Sequence, residues 1–162
     1  MNQDPTQPIE PFIKELLNSL DLSNEKFNNV ESYATELGSA LKPNCNVIIN
    51  GEPIVSKLEF QKKWLMTPLT FHQITNFDCH LIPGLNSYVI NINGKVKFDE
   101  SGRNRLGESG DLIVSQQPKK NMSSWFGFFL SLVIDQPGMN KEIVDNFDYR
   151  INYKPHDTII SI

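Results

Sequence analysis

The first pattern along the chain is helical. Apolar residues recur at Ile9, Phe12, Ile13, Leu16, Leu17 and Leu20, the spacing of one apolar stripe on a helix. Pro11 falls in the first turn, where a missing N–H costs nothing. A second helix is expected from about Ser23, with Phe27, Val30, Tyr33, Ala34 and Leu37 on one side. Ser23 would cap it and Gly38 would stop it. Lys42-Pro43-Asn44 interrupts the pattern, and residues 46–50 read as a short strand. Asn50-Gly51 is a tight-turn signal, with Ile54-Val55 as the returning stub. Residues 56–66 predict a third helix, capped by Ser56 with Glu59 at capping-box spacing and closed by Pro68.

After Pro68 the period changes to two. Segments 71–82, 87–99, 122–135 and 146–154 are predicted strands. Asn93-Gly94 reads as a bulge or bend, because alternation resumes at Lys95-Val96-Lys97-Phe98. A long loop spans 100–121, with glycines at 102, 107 and 110 and Pro118; it is either functional or simply flexible. Residues 1–8 read as a disordered tail and 9–162 as a single domain. The element order predicts an α+β roll, three helices packed on one face of a curved antiparallel sheet.

Alternation divides the strands into two sets. Phe71, Phe77, Cys79, Leu81, Tyr88, Ile90, Ile92, Val96, Phe98, Phe126, Phe128, Leu130, Leu132, Ile134, Phe147, Tyr149, Ile151 and Tyr153 are expected beneath the helices. The opposite set is His72, Asn76, Asp78, His80, Asn91, Asn93, Trp125, Phe129, Ser131, Val133, Asp148, Arg150 and Asn152. That second set is mixed. A solvated face rarely carries Trp125, Phe129 and Val133 together, and a closed core would not tolerate so many amides and charges. Aromatic anchors among hydrogen-bonding groups describe a protein–protein interface, with Asp78, His80, Asn91, Asn93, Trp125, Phe129, Ser131, Val133, Asp148, Arg150 and Asn152 as its candidates. The alternative is a central strand whose outer side chains a loop covers. A one-residue slip at a bulge would exchange the sets locally.

Composition narrows the function. The chain has 162 residues, 39% hydrophobic and 21% charged, with a net charge of −4, so any contact with nucleic acid needs a local basic patch. Lys95, Lys97, Arg103, Arg105, Lys119 and Lys120 supply candidates around the long loop, diluted by Glu100, Glu108 and Asp111; they suit RNA or a ribonucleoprotein, or else a merely solvated loop. Cys45 and Cys79 lack CxxC spacing and are expected as free thiols in a reducing compartment. No secretory signal is read at the N-terminus and no apolar run approaches ~18 residues, so no membrane insertion is expected. His72, His80 and His156 show no metal-ligand spacing, and the glycine-rich 101–110 loop lacks a GK[ST] ending, so neither metal nor cofactor is expected. Asp78 and His80 share a side of one strand as an acid–base pair would, but away from the helices, where no pocket encloses them. The predicted core set offers tyrosines beneath the helices but no carboxylate or histidine, which argues against an enzyme.

Residues Gly94-Lys95-Val96-Lys97-Phe98-Asp99-Glu100-Ser101-Gly102-Arg103, the strand Trp125-Phe126-Gly127-Phe128-Phe129 and the ending Asn152-Tyr153-Lys154-Pro155-His156-Asp157 resemble the fungal mRNA transport regulators, as do His80-Leu81-Ile82-Pro83-Gly84 and Cys45 with its Ile-rich strand. Those proteins are the small, nuclear transport factor 2-like subunits of the general mRNA export receptor. The resemblance implies a nuclear transport factor 2-like cone-shaped roll and a non-enzymatic export adaptor that heterodimerises, through facing sheets, with the receptor's large subunit. It implies passage through nuclear pores by contact with phenylalanine-glycine nucleoporins via the heterodimer, and shuttling between nucleus and cytoplasm. In the family the long loop is associated with RNA and with export of large ribosomal subunit precursors. Two alternatives share the fold: a homodimeric import carrier, for which Asp148 and Arg150 could pair across a two-fold axis, and an isomerase or dehydratase using Asp78 and His80.

Overall fold

The structure, a computed structural model, describes residues 9–110, 112 and 122–162. The expected tail at 1–8, the far part of the long loop, and with it Lys119 and Lys120, lie outside the described residues. Helix α1 (Ile9–Leu20) buries Ile9, Ile13, Leu16, Leu17 and Leu20 of the stripe predicted for it and leaves Phe12 half-buried. Helix α2 (Val30–Glu36) starts later than its periodicity predicts. Asn29 caps it instead of Ser23, accepting from the Ser32 amide at 2.8 Å, while Asn24–Lys26 forms a single 3-10 turn. Gly38 ends the segment at φ +60, where a Cβ would lie 2.7 Å from the Phe60 ring. Helix α3 (Lys57–Leu65) is capped as expected, Ser56 Oγ accepting from Glu59 N at 3.3 Å.

Strand β1 (Leu41–Ile49) begins before Pro43, closer to α2 than the sequence suggests. Proline is tolerated there because the pairing slips between Leu41 and Asn46, so a missing N–H breaks no ladder bond. Asn50 and Gly51, at φ 50 and 86, turn the chain into β2 (Glu52–Ile54). Strands β3 (Thr70–Ile82), β4 (Ser87–Phe98), β5 (Phe126–Asp135) and β6 (Val144–Tyr153) complete a six-stranded sheet in the order β2-β1-β6-β5-β4-β3. All neighbours are antiparallel except β1 and β6, which run parallel, so the sheet is mixed. Phe60, Trp64 and Leu65 of α3, with the α1 stripe, pack on the inward residues of β4, β5 and β6 in one hydrophobic core. Among the described residues no helix is long and apolar enough to cross a membrane.

Bulges decide which side chains face where. On β3, Ile74 pairs with Gly94 and Asn76 with Asn93, leaving Thr75 as an extra residue. Upstream of Thr75 the expected faces are therefore exchanged: His72 turns inward and is 8% exposed, while Phe71 turns outward and is 55% exposed. Asn93-Gly94 itself runs straight through β4, and the irregularity sits opposite it. Gly94 is needed there, because a Cβ would stand 2.5 Å from both the Gln73 carbonyl oxygen and the Phe128 ring. On β6 the extra residues are Asp145, between pairs Ile134–Val144 and Val133–Asn146, and Asn152, between pairs Phe128–Ile151 and Gly127–Tyr153. Tyr153, expected in the core, consequently lies outward beside Gly127 and is 57% exposed. Leu81, also expected inside, is exposed near the end of edge strand β3.

Neither cysteine is in a disulfide. Burial pushes the Cys45 thiol up to about 12, with Asp145 adding to the shift. The thiolate, which is the alkylating nucleophile, is then scarce at pH 8. Iodoacetamide at that pH should leave Cys45 unmodified in the folded chain and label it after unfolding, as peptide mass mapping would show; rapid native labelling would contradict its burial.

Candidate protein–protein interface on the outer sheet face

The strands lay the outward residues in rows across the sheet. One row runs Ile48, Asp148, Ser131, Asn91, Asp78. Its neighbours run Asn46, Asn146, Val133, Val89, His80 on one side and Arg150, Phe129, Asn93, Asn76 on the other. Nine of the predicted interface residues thus share three adjacent rows. Asn152 lies at the β6 bulge just beyond them, and Trp125 stands before β5, about 13 Å along the strand from Phe129. Alternation missed Phe71 and Tyr153, which only the bulges bring outward. Val89, Asn146 and Ile48 were legible, since each alternates with a buried neighbour.

Hydrogen bonds hold the polar members in place. Asn91 Nδ2 donates to Asp78 Oδ1 at 3.1 Å, and Ser131 Oγ donates to Asn91 Oδ1 at 3.1 Å, linking three strands. Asn93 Nδ2 donates to Asn76 Oδ1 at 3.2 Å. Arg150 grips Asp148 with two bonds of 3.0 Å, and that carboxylate raises the Arg150 pKa. Between these pairs Phe129 and Val133 stay only half-buried, because no element of the described chain covers them. The sheet therefore has a second, partly apolar face, with its polar groups already held by one another.

His80 lies 3.4 Å from Asp78, but both side chains are well exposed, so no enclosed site tunes them. Beneath the helices the structure corrects the expectation of a core without carboxylate or histidine. His72 Nδ1 meets Asp21 Oδ1 at 2.5 Å and its Nε2 meets the Tyr149 hydroxyl at 2.7 Å. Asp21, at the end of α1, also accepts from the His72 amide at 2.9 Å. A cavity of about 360 Å³ opens nearby under α3, lined by Phe60, Trp64, Phe98 and Tyr149, with Lys63 and Glu52 at its rim. His72 and Asp21 do not line it, and both His72 nitrogens are already engaged. The cluster ties α1 to the sheet rather than presenting a base to a ligand. Burial, with Asp21 beside it, holds the Tyr149 pKa well above the ordinary tyrosine range. Among the described residues no group of His, Cys, Asp and Glu is placed to hold a metal.

The basic residues separate. Lys95 and Lys97 are on the outer face, and Arg103 is exposed but bonds the Gly107 carbonyl at 2.7 Å. Arg105 is a correction to the nucleic-acid set: it is 2% exposed and points inward. Its guanidinium donates to Thr70 Oγ1 at 2.6 Å and to the Leu22 carbonyl at 3.2 Å, and stacks 5.3 Å from the Trp64 ring centre. Burial lowers its pKa, with Tyr33 and Asp21 opposing the shift. Glu100, equally buried, accepts from the Ile159 amide at 2.8 Å and the Thr158 hydroxyl at 2.9 Å. Loop composition alone could not reveal that one of its charges is a strut.

A curved sheet with three helices on one face and an unpaired, half-apolar other face defines the nuclear transport factor 2-like fold. A solved Ntf2 from Cryptosporidium parvum superimposes with a TM-score of 0.57 at 15% identity, over 94% of this chain and 99% of that one. At that identity the likeness speaks for the fold alone. The chain belongs to the family described as nuclear pore RNA shuttling protein Mtr2, whose model matches residues 3–162. It is 50% identical to a Candida albicans mRNA transport regulator MTR2 over 181 aligned positions, covering 100% of both chains. A crystal structure of the C. albicans Mtr2–Mex67 M domain complex matches with a TM-score of 0.83 at 50% identity, over 96% of this chain and 100% of that one.

Proposed function

We propose that this chain is the small, non-enzymatic subunit of an mRNA export receptor, pairing through its outer sheet face with the M domain of a Mex67-type large subunit. The observation that carries this reading is the uncovered pair Phe129 and Val133 on β5 among hydrogen-bonded polar groups, in a chain half identical to one solved with such a partner. The pair would carry mRNA ribonucleoprotein through nuclear pores, meeting nucleoporins as a heterodimer and shuttling between nucleus and cytoplasm. The long loop would add contacts to RNA or to large ribosomal subunit precursors, with Arg105 as its anchor. The non-enzymatic reading rests on the engaged His72–Asp21 pair and the exposed Asp78–His80 pair, neither of which faces the cavity. A homodimeric carrier is disfavoured because Arg150 and Asp148 satisfy each other within one chain.

Mass in solution tests the pairing. The purified chain should run as a monomer near 18.5 kDa and shift to a one-to-one complex on addition of a Mex67 M domain. A homodimer of twice that mass that ignores the added domain would refute the reading.

A further inference from the structure

The chain carries two Asn-Gly pairs, and the fold treats them in opposite ways. Asn93-Gly94 lies inside β4, paired on one side with Asn76 and Ile74 and on the other with Phe129 and Phe128. Asn50-Gly51 is an exposed turn, left-handed at both residues with φ 50 and 86. The Ile49–Glu52 pair closes that turn, so the Gly51 N–H has no ladder partner. A Cβ built at Gly51 would meet nothing within 4 Å, so the turn is uncrowded. The Asn50 amide is already polarised, its Oδ1 accepting from the Ile151 N–H at 2.8 Å. A donor at that oxygen draws charge away from Cγ, as an oxyanion-hole donor does. The Asn50 N–H donates to the Tyr149 carbonyl at 2.8 Å, so this one residue clasps β6 on both sides of Arg150. Asn50 and Arg150 also line one surface hollow.

We propose that Asn50-Gly51 is a self-modification site, converting through a cyclic imide to aspartate and isoaspartate and thereby loosening the docking face around Arg150. The step needs only water and hydroxide from solvent. Hydroxide takes the Gly51 amide proton, and the nitrogen attacks Asn50 Cγ. The Gly51 N–Cγ bond forms, the Cγ–Nδ2 bond breaks, and Nδ2 takes a proton from water to leave as ammonia. Water then opens the ring at either carbonyl. Opening at Cγ gives aspartate; opening at the former backbone carbonyl gives isoaspartate, with the main chain rerouted through Cγ. Both products act on Arg150. Aspartate puts a new anion in the hollow shared with Arg150, where it competes with Asp148 for the guanidinium. Isoaspartate lengthens the main chain by one carbon and shortens the side chain by one, so Tyr149 and Ile151 cannot both keep their bonds to it. Asn93 is spared, because its paired strands would have to part before the Gly94 nitrogen could fold back onto Cγ. The conversion stands on the turn alone; its effect on assembly rests on the pairing proposed above.

Ageing the purified full chain at mildly alkaline pH tests it. Peptide fragmentation locates the mass gain of an amide becoming an acid, and enzymatic isoaspartyl methylation marks the rerouted bond. In the folded chain Asn50 should convert at least about tenfold faster than Asn93, whereas in urea the two pairs should convert at similar rates. Asn50 itself should convert about as fast folded as unfolded. Protection of Asn50 by the fold, or equal conversion of both pairs in the folded chain, would overturn the proposal. The modified chain, separated by its extra negative charge, should bind the large subunit about tenfold more weakly than fresh chain. Asn50→Gln must close a slower six-membered ring and should age without that loss. Unchanged affinity of the modified chain, or an equal loss in Asn50→Gln, would overturn the link to assembly. Failure of the pairing itself is read separately, as a fresh wild-type chain that ignores the large subunit yet still forms isoaspartate at position 50.

Discussion

Phe129→Lys should abolish pairing with the large subunit and leave the fold standing. Phe129 lies at the middle of the outer face, between Asn93 on β4 and Arg150 on β6, half-buried before any partner arrives. Two sheets packed face to face stand about 10 Å apart, so a partner sheet would enclose whatever occupies position 129. An ammonium enclosed there, with Arg150 beside it and no acid freed to meet it, costs several kcal/mol. At about 1.4 kcal/mol per factor of ten, the dissociation constant rises by a thousandfold or more. The helix-covered core is untouched, because the residue 129 side chain points away from it, and the melting temperature of the isolated chain should move by less than about 4 °C. Arg150→Asp acts by a second route: it sets a new carboxylate beside Asp148 and removes that group's bidentate partner. Calorimetric titration of both variants with the large subunit checks the assignment. Retained affinity in either would show that the partner docks elsewhere.

The second large effect is on stability. Arg105→Ala should lower the unfolding free energy by about 2–5 kcal/mol, the usual cost of truncating a long, fully buried side chain together with its hydrogen bonds. The guanidinium reaches Thr67, Thr70 and the Leu22 carbonyl, and it stacks on Trp64. Removing it leaves the Leu22 carbonyl with the Tyr33 hydroxyl alone, at 2.6 Å, and takes away a positive charge that balances Asp21. Arg105→Lys should not rescue the loss, since one ammonium cannot serve three directions and cover an indole. Urea unfolding measures the change, and the base of the long loop should become more open to proteolysis in the same variant. A loss below about 1 kcal/mol would mean that the loop is held by Glu100 and the Asn104 turn instead.

Most of the architecture was legible because periodicity is a direct readout of one-sided burial. The α1 stripe, the Ser56 cap, the Asn50-Gly51 turn and the inward residues of β4 and β5 all follow from it. What was not legible depended on partners distant in sequence. Thr75 and Asn152 look ordinary in their strands, yet each exchanges the faces of its neighbours, which is why His72 was placed outside and Tyr153 inside. Asn29 displaced Ser23 as the cap of α2 because both are competent, and Phe27, stacked on Tyr33 at 5.3 Å, belongs to the approach rather than the helix. Arg105 carries the same letter as Arg103 two positions away, and only the gap between α1, α3 and β3 makes it a strut. Nine of the interface candidates come from stretches where alternation holds, whereas Asn152 is itself a bulge residue and Trp125 precedes β5.

The parallel pairing of β1 with β6 couples assembly to synthesis. Leu41 meets Val144 and Ile48 meets Asp148, contacts about a hundred residues apart along the chain. Until the ribosome has made β6, β1 has only the three-residue β2 beside it and the roll cannot close. The same late strand brings Asp148 and Arg150, so a nascent chain cannot offer a finished docking surface before its own architecture is complete. On the proposed docking face, a partner would therefore meet a finished surface only after the last strand has emerged.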